Sequence, residues 1–187
     1  MARREGCVEI VDGVVQLDSD AAVVGHSPYG GGIGVLATRD LAAGDIVLVE
    51  PAPLVAAEKS TREPLHMQLA KRVLQDGDRN ILLEQMAVIY PRSLDEVDAE
   101  VLARARSEYS RSVQKLLAAQ SECEGDGRRA LSEEEMLGLV LKVAFSSFMG
   151  GIYVAGAMFN HSCRPNLICQ PRPHGAPGTV SRVKECS

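Results

Sequence analysis

Between about Leu65 and Ala144 apolar residues recur at helical spacing, whereas both flanking stretches consist of short β-like runs broken by glycine and proline. A chain ordered as strands, then helices, then strands does not build the alternating βαβ units of a parallel sheet. The order predicts an α+β fold, in which short strands and small sheets carry a central helical insertion. Three segments follow: residues 1–60 with N-terminal strands and a glycine-rich loop, 61–145 as the helical insertion, and 146–187 as the C-terminal strand segment.

The N-terminal flank opens with two apolar runs, 8–11 and 14–17, around Asp12-Gly13, a favoured hairpin turn. Residues 35–38 and 46–49 read as two strands joined by a turn through Ala42-Ala43-Gly44-Asp45, and Pro51 and Pro53 close the segment because proline donates nothing to a ladder. In the middle, Ser93 with Glu96 forms a capping-box pattern. The apolar positions Val97, Val101, Ala105, Tyr109, Val113, Leu116 and Leu117 then predict one long amphipathic helix. Residues 121–129 are polar and contain Gly125 and Gly127, hence a loop. Ser132 with Glu135 opens a second helix through Met136, Leu139, Val140 and Val143, which Gly150-Gly151 is expected to stop. In the tail, extended runs at 167–170 and 179–183 bracket a loop rich in proline and glycine.

The bulk properties exclude several function classes. The chain has 187 residues, 45% of them apolar, which suits one domain or one domain with a large insertion. Aromatic residues make up 4% and tryptophan is absent, so aliphatic residues, alanine and methionine must fill the core. A net charge of −5 without a basic patch argues against direct nucleic-acid binding and against anionic lipid. No run is long enough to cross a bilayer and no secretory signal follows Met1-Ala2-Arg3-Arg4. The five scattered cysteines contain no CxxC pair, which fits a reducing compartment, cytoplasmic or nuclear.

Two segments concentrate chemistry. Gly30-Gly31-Gly32-Ile33-Gly34 runs into a strand. Although Gly32 to Ala37 matches the pattern G-x-G-x-x-A, no helix opens there to receive a pyrophosphate, and no Gly-Lys-Ser/Thr follows for a phosphate-binding loop. The cluster reads either as a surface turn or as backbone that a ligand approaches closely. The second segment, Asn160-His161-Ser162-Cys163-Arg164-Pro165-Asn166, inserts polar and thiol groups between apolar Ala157-Met158-Phe159 and Leu167-Ile168. Burying such groups is costly unless they are hydrogen-bonded or bind something. A Cys163 nucleophile assisted by His161 lacks a third orienting group, and His161, Cys163 and Cys169 match no standard zinc spacing. A structural turn fixed by Pro165 and capped by the two asparagines stands beside these readings.

Together, Gly32-Ile33-Gly34 followed by two strands around a glycine turn, and Asn160 to Asn166 reading N-H-S-C-x-P-N, resemble the SET family of protein methyltransferases. The helical stretch between them is similar to the insertion of SMYD-like split SET domains. A MYND zinc finger is not expected, because Cys123 is the only cysteine between Glu50 and Cys163. The resemblance implies a SET-type β-fold and S-adenosylmethionine as cofactor. It implies cofactor contacts from Gly31, Gly32, Ile33, Gly34, Asn160 and His161, with Ser162 and Asn166 bracing the loop. Partners would be protein substrates, histone or non-histone, presenting a lysine. Tyr153 and Phe145 or Phe148 are candidates for the wall of the lysine channel. Cys163 matches the first ligand of the post-SET zinc site, so zinc is implied if the full-length protein carries the remaining cysteines.

The pattern also departs from the family. Ser146-Ser147 stand where an asparagine is frequent, and no tyrosine follows Tyr153, so the family's catalytic tyrosine has no counterpart and no catalytic residue is assigned. The sequence is therefore expected to be a fragment of a SET-domain lysine methyltransferase that stops before the tyrosine hairpin. The alternative is a non-catalytic SET-like protein-interaction module.

Overall fold

The computed structural model describes residues 8–11, 14–17, 19–28, 32–50, 53–57, 62–122, 129–148, 150–160, 166–171 and 179–183. It divides into two compact units: Met1–Pro53 with Tyr153–Ser187, and Leu54–Ile152. Among the described residues, four α-helices and small antiparallel sheets give the expected α+β class.

The first unit is a set of antiparallel ladders. Strand β1 (Val8–Val11) pairs with β2 (Val14–Leu17), Val11 opposite Val14, as a two-residue hairpin connection requires. Asp12-Gly13 itself lies outside the described residues. Strand β3 (Ala22–His26) pairs with β4 (Ile33–Ala37), and Gly25 faces Gly34 across that ladder. Strand β5 (Ile46–Glu50) takes as its neighbour β10 (Thr179–Val183), which in turn pairs with β9 (Leu167–Pro171). The two strands read from residues 35–49 thus belong to different sheets. The turn between them does form: Asp45 N–H donates to Ala42 O at 3.0 Å and Gly44 has φ 86°. Strand β3 was not anticipated, because its stretch contains Gly25 and lacks polar-apolar alternation. Ala22, Val47, Leu48, Val154, Ala155 and Met158 are buried in this unit.

The second unit is mainly helical. It holds α1 (Leu65–Gln75), α2 (Arg79–Met86), α3 (Ala99–Glu122) and α4 (Glu133–Ser146). A small sheet of β6 (Val55–Ala56), β8 (Gly151–Ile152) and β7 (Ser147–Phe148) completes it, with β8 in the centre. Helix α4 packs on α1 and α3 and buries Met136, Leu137, Leu139, Val140, Leu141 and Val143, more than one face, which makes it the core of the unit. The ends of the 123–128 connection are clasped by a buried exchange. Gln120 Nε2 donates to Leu131 O at 3.1 Å, and Leu131 N–H donates to Gln120 Oε1 at 2.9 Å.

Two helix expectations need correction. The capping box at Ser132 and Glu135 is present, with both reciprocal bonds. That at Ser93 and Glu96 is not. Residues Leu94–Glu96 form a separate 3-10 turn, because Glu96 binds the Arg92 amide and guanidinium instead. Helix α3 starts afresh at Ala99, where the Asp98 carboxylate accepts from the amides of Glu100 and Val101 at 2.9 and 3.2 Å. Val101 is accordingly 46% exposed, while Ala105, Val113 and Leu116 are buried. The second correction concerns the end of α4. It stops at Ser146, not at Gly150-Gly151, because Ser147–Phe148 turns into a strand paired with β8.

Candidate functional site

The glycine segment and the polar segment meet within the first unit. Gly32 has φ 84°, in the left-handed region, and its carbonyl accepts from Ser27 N–H at 3.0 Å, closing the loop before β4. A Cβ built on Gly32 would meet no atom within 4 Å, so open space adjoins the backbone there. Gly34, two residues on, is buried, and a Cβ built on it would lie 2.5 Å from Asn160 Nδ2 and 3.3 Å from Asn160 Cγ. The Asn160 amide therefore rests directly on the bare backbone of β4. No residue with a side chain fits at Gly34 while Asn160 stays where it is. Ile33, between the two glycines, is 38% exposed. Gly31, His161, Ser162 and Cys163 lie outside the described residues. Asn166 is described and exposed at the start of β9.

A residue that the sequence did not single out holds this arrangement. Glu50 ends β5 with only 5% of its surface exposed. Its Oε1 accepts from Ala155 N–H at 3.2 Å and its Oε2 from Gly156 N–H at 2.9 Å. These amides open the 3-10 turn Gly156–Met158, whose first N–H groups have no partner of their own. That turn packs against β4 and delivers the chain to Asn160. Burial pushes the Glu50 carboxyl above the usual range, against the lowering effect of bonds from the Gly156, Ala155 and Val154 amides. The signal available in the sequence was a lone acidic residue closing the apolar run Ile46 to Val49.

Tyr153 stands beside it. The ring is buried, and its hydroxyl pKa is raised by burial first, then by the neighbouring Cys169 and Glu50. The other aromatic candidates belong to the second unit. Phe145, at the end of α4, is 47% exposed and stacks on Tyr90 with ring centroids 5.9 Å apart, while Phe148 is half-buried in β7. Ser146 is buried, and its hydroxyl donates to Tyr90 O at 3.2 Å.

A model of the SET domain matches residues 32–184. The chain belongs to the SET-domain family. The match begins at the glycine loop and extends through the last described strand, so it includes both halves of the Gly34–Asn160 contact. Searches of curated proteins and of solved structures returned no significant match. Domains of this family generally use S-adenosylmethionine and act on proteins. Among the described residues no cluster of His, Cys, Asp and Glu could hold a metal ion, and no helix is long and apolar enough to cross a membrane.

Proposed function

We propose that this SET domain binds S-adenosylmethionine on the Gly31–Gly34 backbone and Asn160, with His161 completing the contacts, and serves protein lysine N-methylation of the SMYD-like kind. The observation that carries this reading is the seating of the Asn160 amide on Gly34 beside the open space at Gly32. The Asn160 side-chain amide beside this backbone supplies both a donor and an acceptor, which suits the zwitterionic and nucleoside ends of that cofactor. The donor set fits the group.

Bound there, the cofactor supplies an activated methyl on a sulfonium. The chain's own part is positional. The missing Cβ at Gly34 lets Asn160 sit in place, and Glu50 clamps the turn that precedes Asn160. Transfer of this type rests on proximity and orientation, so a site fixed before binding is an advantage. The proposal includes the expectation that the hydroxyl orienting the amine comes from a tyrosine beyond Ser187, and that Cys163 would serve a post-SET zinc if further cysteines follow there.

The test uses labelled S-adenosylmethionine with lysine-containing proteins, histones among them. The 187-residue chain should bind the cofactor but transfer methyl weakly or not at all, and a longer chain restoring a Gly-acidic-acidic turn and tyrosine should transfer it. Cofactor binding with no transfer by the longer chain would support the alternative of a non-catalytic SET-like interaction module. Absence of cofactor binding by the folded chain would contradict the proposal.

A further inference from the structure

The helical unit contains a cavity of about 320 Å³, a volume in the range of small-molecule sites. One wall is a face of α4, where Glu134, Gly138 and Lys142 succeed one another at four-residue spacing. Opposite it stand Leu83 and Met86 of α2 and Leu94 of the 3-10 turn. The lining is mostly apolar and carries charged side chains from Arg92, Arg129, Glu134, Glu135 and Lys142.

Two features of this wall bear on what the cavity can hold. Gly138 lies inside α4, where glycine is among the poorest helix formers. A Cβ added there would meet only Leu94 Cδ2, at an ordinary 3.9 Å, so the packing of the chain does not require glycine. What its absent side chain does is leave the cavity open. The second feature is Lys142. The other charged side chains of the lining are matched: Arg92 with Glu96, Arg129 with Glu135 and Glu134 with Arg106, each pair at 2.6 Å. Among the described residues Lys142 has no carboxylate at ion-pair distance. Its ammonium donates to Ile89 O at 2.9 Å and to Pro91 O, and an ammonium has three N–H groups. Burial lowers the pKa of the Lys142 ammonium to about 8, with attraction from Glu96 opposing that shift and repulsion from Arg92 adding to it.

We propose that this cavity binds a small monocarboxylate with an apolar body, the body lying against Leu83, Met86, Leu94 and Gly138 and the carboxylate accepting from Lys142. A mostly apolar lining with one unmatched cation selects this class over neutral apolar molecules and over cations. The site is built from the helical unit alone and is independent of the cofactor reading.

The test is titration of the 187-residue protein with octanoate and with octanamide, followed by amide NMR shifts. Octanoate should shift residues in 83–94 and 134–142 saturably and bind at least tenfold tighter than octanamide. Lys142→Met should remove that preference, and Gly138→Leu should abolish binding of both. Gly138→Ala, which the packing admits, should weaken octanoate several-fold while raising the melting temperature, so a failure of the leucine variant to fold leaves the prediction testable. Equal affinity for the two probes, shifts confined to other residues, or affinity unchanged in Gly138→Ala and Lys142→Met would overturn the proposal. Retained S-adenosylmethionine binding in these variants would separate this outcome from any failure of the cofactor site.

Discussion

At the scale of single residues, the first unit depends on one absent side chain and one buried carboxylate. Gly34→Ala places a methyl 2.5 Å from the unsubstituted position of Asn160 Nδ2, a separation that real atoms do not keep, so Asn160 must move. The expected result is a cofactor dissociation constant raised at least tenfold with little change in helix content, measured by calorimetry and circular dichroism. Glu50→Ala leaves the amides of Ala155 and Gly156 without their acceptor and should lower unfolding free energy by about 2 kcal/mol. Urea unfolding checks this. Glu50 also sets a pH dependence. Its folded carboxyl titrates above the ordinary glutamate range, so the native state takes up this proton first as pH falls. The resulting stabilisation is complete below the unfolded value and is lost as pH rises through the folded one. The stability of the wild type relative to Glu50→Gln should therefore grow between pH 7 and the ordinary glutamate range. A flat difference would exclude Glu50 as the titrating group.

At the scale of elements, what was legible in the sequence was whatever is decided locally. The Ser132–Glu135 box was readable because all its partners lie within three residues. Ser132→Ala should cost about 1 kcal/mol, measured by urea unfolding. Glu135 runs opposite to Glu50 in pH: its bond to Arg129, with the Ser132 amide, holds its carboxyl down at about 2. Its contribution is present above the ordinary glutamate range and fades as pH falls toward that value, and surface exposure keeps it small. The same sequence pattern at Ser93 does not start a helix, because Arg92 takes the Glu96 carboxylate and Asp98 caps α3 from two residues further on. Glycine and proline punctuation located the turn at Gly44, yet it could not say that β5 pairs with β10, whose residues stand far along the chain. Glu50 was hidden for the same reason, since its amide partners are 105 and 106 residues away.

At the scale of the whole molecule, the SET match spans residues 32–184, and within it Leu54–Ile152 form a compact unit of their own. Family membership was readable because two short motifs in the right order are specific. Their contact was not, because it depends on a strand that takes a side-chain amide against its backbone. Under the proposed function, Gly34 serves the cofactor site by seating Asn160. A double-mutant cycle with calorimetric titration of S-adenosylmethionine measures that dependence. Gly34→Ala and Asn160→Ala should each weaken binding at least tenfold, and Gly34→Ala made in the Asn160→Ala background should add little further loss. Fully additive effects, or a wild-type chain that is folded and does not bind the cofactor, would contradict it.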